Sequence, residues 1–98
     1  MHVVIDVTVK ESAKFAAYVQ GHLPSIAQYG GKVLSRSMAP AAVEGDWHPA
    51  LLVIHEWPDE AAFHRWYVSP EYAPWKAMRP DACELRMVLM RAEPPARI

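Results

Sequence analysis

The chain opens on an alternation of apolar and polar positions. Across HVVIDVTV, His2 to Val9, residues Val3, Ile5, Val7 and Val9 share one side of an extended backbone, and their β-branched content suits a pleated strand. The period then lengthens. Phe15, Val19, His22, Ile26 and Tyr29 fall within one stripe at about 100° per residue, which predicts an amphipathic helix from Glu11 to about Tyr29. Gly21 and Pro24 interrupt it. Pro24 has no N–H and crowds the carbonyl of Gln20, so a kink is expected there. Gly30-Gly31 ends the helix, since glycine accepts the left-handed conformation at low cost.

KVLSRSM, Lys32 to Met38, reads as a second strand, and Ala39 to Pro49 as a loop turning at Gly45. ALLVIHEW, Ala50 to Trp57, reads as a third strand, stopped by Pro58-Asp59. Asp59 can cap a second helix in which Ala62, Phe63 and Trp66 share a face. Ser69-Pro70 has the form of an N-cap with proline at the first helical position. A short third helix to about Arg79 follows, and Pro74 is expected to bend it. Glu84 to Ala92 reads as a fourth strand, with Cys83 in the loop before it.

The order β-α-β-β-α-β predicts an α+β, ferredoxin-like fold: a four-stranded antiparallel sheet with helices on one face. It forms one domain, residues 1–93, followed by a tail, 94–98. The second face of such a sheet carries Val4, Val33 or Leu34 and alternate apolar residues of strands three and four. A second copy of the sheet would cover it, so a homodimer through sheet faces is expected.

Composition narrows the partners. At 98 residues folding hides only about two-thirds of the unfolded chain's surface, yet 52% apolar residues are ample for a core. Four Trp and four Tyr are many for this length, so some aromatic surface is expected to face a ligand or a partner subunit. The formal charge is −1 and no basic stripe occurs, so neither nucleic acid nor a membrane is an expected partner. No run is long enough to span a bilayer, and no secretory leader pattern is seen. A single cysteine, Cys83, cannot form an internal disulfide, which suits a cytoplasmic location.

The candidate chemistry centres on His22, a titratable ring in the middle of an apolar stripe. It is either a core histidine satisfied by a helix carbonyl or a proton-transfer residue. His55 and Glu56 are neighbours on strand three, so only one can face the helices. Glu56 is a candidate ligand-binding residue if it faces the pocket, and an ordinary ion-pair or dimer-face residue if not. Trp66, Tyr67 and Tyr72, with Trp75, form either an aromatic core or a pocket wall under a bent lid. Arg79 is either a helix C-terminal cation or an anchor for a carboxylate or enolate. Trp47 could shield the pocket or meet the partner subunit. The five histidines lack metal-ligand spacing, and no phosphate loop, HExxH, CxxC or GxSxG occurs. No metal and no cofactor are expected.

Tyr29-Gly30-Gly31-Lys32-Val33-Leu34, Val43-Glu44-Gly45-Asp46-Trp47, Leu52-Val53-Ile54-His55-Glu56-Trp57, Trp66-Tyr67-Val68-Ser69-Pro70-Glu71-Tyr72 and Arg79 occur in an order that resembles the domain-of-unknown-function 1330 family. The resemblance runs from about Tyr18 to Met90. Trp57 stands where that pattern has phenylalanine, and Pro74 falls in a smoother helix. The resemblance implies a dimeric α/β-barrel fold, whose superfamily includes cofactor-free monooxygenases, muconolactone isomerases and haem-binding proteins with a pocket between sheet and helices. It implies no reaction of the family's own. Two functions follow as expectations. One is a metal-free enzyme acting on a small aromatic or unsaturated acid, with His22 shuttling a proton and Arg79 or a tyrosine hydroxyl stabilising an oxyanion. The other is a non-catalytic binding or stress-related module. A haem ligated by His22 is a weaker third.

Overall fold

Strand β1 (His2–Val9) lies in the middle of the sheet, between β3 (Leu51–Glu56) and β4 (Cys83–Met90), because its run of β-branched residues can be buried on one face and paired on both edges. A computed structural model describes residues 1–91; the expected tail, 94–98, lies outside them. After β1 come α1 (Ser12–Gln28), β2 (Lys32–Ser37), β3 (Leu51–Glu56), α2 (Glu60–Tyr67), α3 (Ala73–Ala82) and β4 (Cys83–Met90). The spatial order is β2-β3-β1-β4, with every pairing antiparallel. The expected ferredoxin-like α+β plan is present.

Period two sorts the two faces. Val3, Ile5 and Val7 are buried towards the helices together with Leu51, His55 and Cys83. Val9, expected on that face too, is at its exposed end. Opposite them Val4 pairs with Ile54 and Val88, and His2 with Glu56 and Met90, on a face that no helix of the described residues covers. Trp57, Trp66 of α2 and Tyr72 at the start of α3 are almost wholly buried. Each such ring removes about 150–250 Å² from water, an upper estimate of about 4–6 kcal/mol apiece.

α1 starts where Glu11 accepts from the backbone N–H groups of Ala13 and Lys14, satisfying two orphan donors. It remains one helix through Pro24. Gly30 ends it with φ +90°, a conformation that favours glycine. Gly31 is needed for room: a Cβ there would lie 2.7 Å from the buried Trp57 indole. The Tyr29 hydroxyl donates to Glu71. The YGG and SPEY stretches are thus tied to each other in space.

Three boundary expectations change. Ser69 does cap a turn, its Oγ accepting from Tyr72 N–H at 3.1 Å, but α3 begins only at Ala73. Pro74 therefore falls in the first helical turn, where no intrahelical donor is needed, and introduces no break. Cys83 is not in a loop; it is the buried first residue of β4.

Candidate active site

A cavity of about 150 Å³ lies between α1 and the sheet. Ile5, Val7, Leu51, Val53, Leu85 and Met87 form its floor, Phe15, Tyr18, Val19, His22 and Leu23 its roof, and Trp66 closes one end. Leu23 and Val33 are each more than one-third exposed, so the cavity opens between α1 and the β2 edge. Its volume matches an apolar cavity that accommodates a single benzene ring. A porphyrin does not fit such a space, and the haem reading of His22 is not carried further. Among the described residues no three His, Cys, Asp or Glu side chains gather as a metal-binding group.

His22 is buried in the roof and its Nδ1 lies 2.7 Å from the Tyr18 carbonyl oxygen. A carbonyl only accepts, so the neutral ring carries its proton on Nδ1 and its lone pair on Nε2. No partner for Nε2 occurs among the described residues. Burial holds His22 below its ordinary pKa; the Tyr18 and Val19 carbonyls act against this, and the Arg79 charge adds to it. The ring is therefore neutral at pH 7 and able to accept a proton. Tyr18 stacks on it with centroids 4.2 Å apart. Ser25 Oγ donates to the His22 carbonyl at 2.5 Å and accepts from Trp66 Nε1 at 2.8 Å, locking this turn of α1 to α2.

Behind the roof lies a second polar layer. The Tyr18 and Tyr72 hydroxyls are 2.6 Å apart, and Arg79 Nη1 donates to Tyr72 Oη at 2.8 Å. Burial raises the pKa of both tyrosines, which keeps both hydroxyls protonated at neutral pH. Burial acts against the Arg79 charge, but Tyr72, Tyr67 and Tyr18 hold its pKa above the ordinary arginine value. Arg79 is thus in contact with the network and not with the cavity.

Of the residues singled out in the sequence, His22 and Trp66 line the cavity. Tyr72 is fully buried and stacks on Trp66 at 4.0 Å; Tyr67 packs on Phe63 and Trp66 and lies under the Lys76 ammonium. Neither tyrosine lines the cavity. Glu56 is a correction. It lies on the opposite face of the sheet, 3.3 Å from Lys32 and 3.7 Å from His2, because its neighbour His55 takes the inward position opposite Val3. Trp47 does not shield the cavity either: its Nε1 donates to Asp6 on the open face at 2.9 Å. Three polar lining residues, Tyr18, His55 and Arg36, went unrecognised as such. Tyr18 is three residues from Phe15 and was visible in the helical period. His55 was visible as a neighbour of Glu56, but with its face undetermined. Arg36 carried no signal in the sequence.

The profile of the family described as Domain of unknown function (DUF1330) matches residues 1–92. The chain belongs to the DUF1330 family. No functionally curated protein shows significant sequence similarity to it. Among solved structures, it is similar to a protein of unknown function from Rhodopseudomonas palustris, with TM-score 0.78 and 24% identity over 95% of this chain and 82% of that one. It is also similar to SnoaB, a cofactor-independent oxygenase from Streptomyces nogalater, with TM-score 0.61 and 21% identity over 96% of this chain and 95% of SnoaB. A Deinococcus radiodurans protein provisionally classed as an antibiotic biosynthesis monooxygenase gives TM-score 0.52 and 21% identity over 96% and 94% of the two chains. At these identities the DUF1330 chain shares a fold with them.

Proposed function

We propose that this DUF1330 protein binds a small aromatic or unsaturated acid in the α1–sheet cavity, with His22 as the proton acceptor of a metal-free, cofactor-free reaction. The observation that carries the reading is the His22 tautomer: a neutral imidazole whose Nδ1–H is held by the Tyr18 carbonyl, in the lining of an apolar cavity of about 150 Å³. Nε2 would take a proton from an O–H or from a C–H beside a carbonyl, leaving an enolate or phenolate and an imidazolium. Returning the proton to a different carbon completes an isomerisation with no co-reactant. With dioxygen as co-reactant the same anion leads to oxygenation: a CH2 becomes a carbonyl, and the second oxygen atom leaves as water with the two protons. The resemblance in fold to a cofactor-independent oxygenase supports the second course without deciding it.

In this proposal Arg79 is a positioning residue. Through Tyr72 it holds the Tyr18 hydroxyl, and Tyr18 holds His22 by its carbonyl and its ring. The protein acts as a homodimer. Leu34, Val88 and Met90 are 46–62% exposed, and a second copy would cover the apolar part of the open sheet face that carries Val88 and Met90. Among the described residues no helix is long and apolar enough to cross a membrane, and the buried free thiol of Cys83 suits a reducing, cytoplasmic setting.

The test incubates the purified protein with single-ring aromatic and unsaturated acids, follows thermal shift and product by mass spectrometry, and repeats both with His22→Ala. Conversion abolished in a variant that keeps its circular dichroism and its dimer mass supports the reading. Conversion unchanged by His22→Ala refutes it. A thermal shift with no product from any compound identifies a binding module instead.

A further inference from the structure

The strands place one charged side chain at the cavity, and they do so by an irregularity. Along β2, strict alternation from the inward Val33 would turn Leu34 out, Ser35 in and Arg36 out. The register does not follow it. Val33 pairs with His55, Ser35 with Ile54 and Arg36 with Val53, with a bulge between Val33 and Ser35. Residues directly opposite each other share a face. The extra residue, Leu34, therefore returns Arg36 to the side of Val53 and His55, where it lines the cavity. Bulges re-aim side chains in this way, commonly beside active sites.

Among the described residues Arg36 is the only charged side chain in the cavity lining, and no carboxylate accompanies it there. Among the described residues it makes no ion pair, and its contact is a weak one to Met38 Sδ at 3.9 Å. At the deep end His55 is 3% exposed, and its Nδ1 is packed with no hydrogen-bond partner among the described residues. A buried N–H with no acceptor costs more than a buried lone pair beside apolar atoms. Placing the His55 proton on Nε2 avoids an orphaned buried donor at Nδ1 and makes His55 the complement of His22, whose lone pair is on Nε2. Val53, opposite Arg36, and His55 are two residues apart on β3, a separation of about 7 Å, comparable to the length of one substituted benzene ring.

We propose that the cavity takes a single aromatic ring carrying a carboxylate and, at its far end, an oxygen: the carboxylate meets Arg36 at the β2 edge, the ring fills the apolar belt, and the oxygen meets His22 and His55. His22 receives a hydrogen bond from the oxygen, and His55 donates one to it. The class is that of hydroxylated benzoates. The inference rests on the reading of the α1–sheet cavity as a ligand pocket.

Calorimetry of the full chain with 4-hydroxybenzoate, benzoate and phenol, alongside amide-resolved NMR, tests it. Binding of 4-hydroxybenzoate is expected to shift signals of α1, β2 and β3. Arg36→Gln, at an exposed position, is expected to weaken that binding about ten- to hundredfold, the value of a charge-assisted contact, and to leave phenol binding unchanged. His55→Phe is expected to weaken 4-hydroxybenzoate more than benzoate. Phenol binding as tightly as 4-hydroxybenzoate, with no effect of Arg36→Gln, overturns the inference and leaves the pocket reading standing. Shifts confined to the open sheet face, or no binding by any of the three, overturn both.

Discussion

Acid destabilisation of the fold should pass through His55. Burial, with a smaller contribution from His22, pushes its pKa from 6.5 down to about 4. The unfolded chain takes up this proton below 6.5, and the folded chain only below about 4. Between those values the unfolded state binds more protons, so stability falls as pH falls and is level above 6.5. At about 1.4 kcal/mol per pH unit, the full loss is roughly 3 kcal/mol, most of it already lost by pH 4.5. No discount for solvent screening applies to a side chain with 3% exposure. Such a loss is a large part of the 5–15 kcal/mol typical of a domain. Urea unfolding at pH 7 and 4.5, at fixed protein concentration because a dimer is expected, measures it. His55→Leu removes the ionising group at similar volume. His22 shifts in the same direction, so the variant should keep part of the acid effect and lose the His55 share of it, roughly 2–3 kcal/mol. Equal losses in wild type and variant would refute the argument.

Gly31→Ala drives a Cβ into the face of the Trp57 indole, 2.7 Å away and fully buried. It should cost about 1–3 kcal/mol in urea denaturation, and a variant as stable as wild type would show that Trp57 can move. Tyr72→Phe strips the hydroxyl that joins Tyr18 to Arg79 and should destabilise by about 1–3 kcal/mol. Arg79→Gln removes a charge that holds the His22 pKa down and should raise its NMR titration midpoint whatever the link does. Tyr72→Phe keeps that charge, so if Arg79 positions His22 through this link it too should move the His22 midpoint; a midpoint that Tyr72→Phe leaves unmoved breaks the proposed chain.

Some of this was legible because local pattern and tertiary need agreed. β1 and the stripe of α1 read correctly from their periods, and Asp59 caps α2 as its position implies, accepting from Ala62 N–H at 2.7 Å. Period two says that His55 and Glu56 face opposite ways, but only the pairing of His55 with Val3 decides which is inside. Arg36 was hidden for a stronger reason. A bulge is a property of two strands together, and nothing in KVLSRSM shows that Leu34 is the extra residue. The start of α3 was misjudged because Ser69-Pro70 is a genuine cap signal that here serves a single turn, leaving Pro74 to sit harmlessly at the true helix start.

The proton on His22 is the most direct point of test. Long-range proton–nitrogen NMR of the folded protein at pH 7 should show a neutral His22 protonated on Nδ1, with Nε2 bare and a titration midpoint below 6.5. A proton on Nε2, or an imidazolium at pH 7, would leave the cavity without its base and contradict the account.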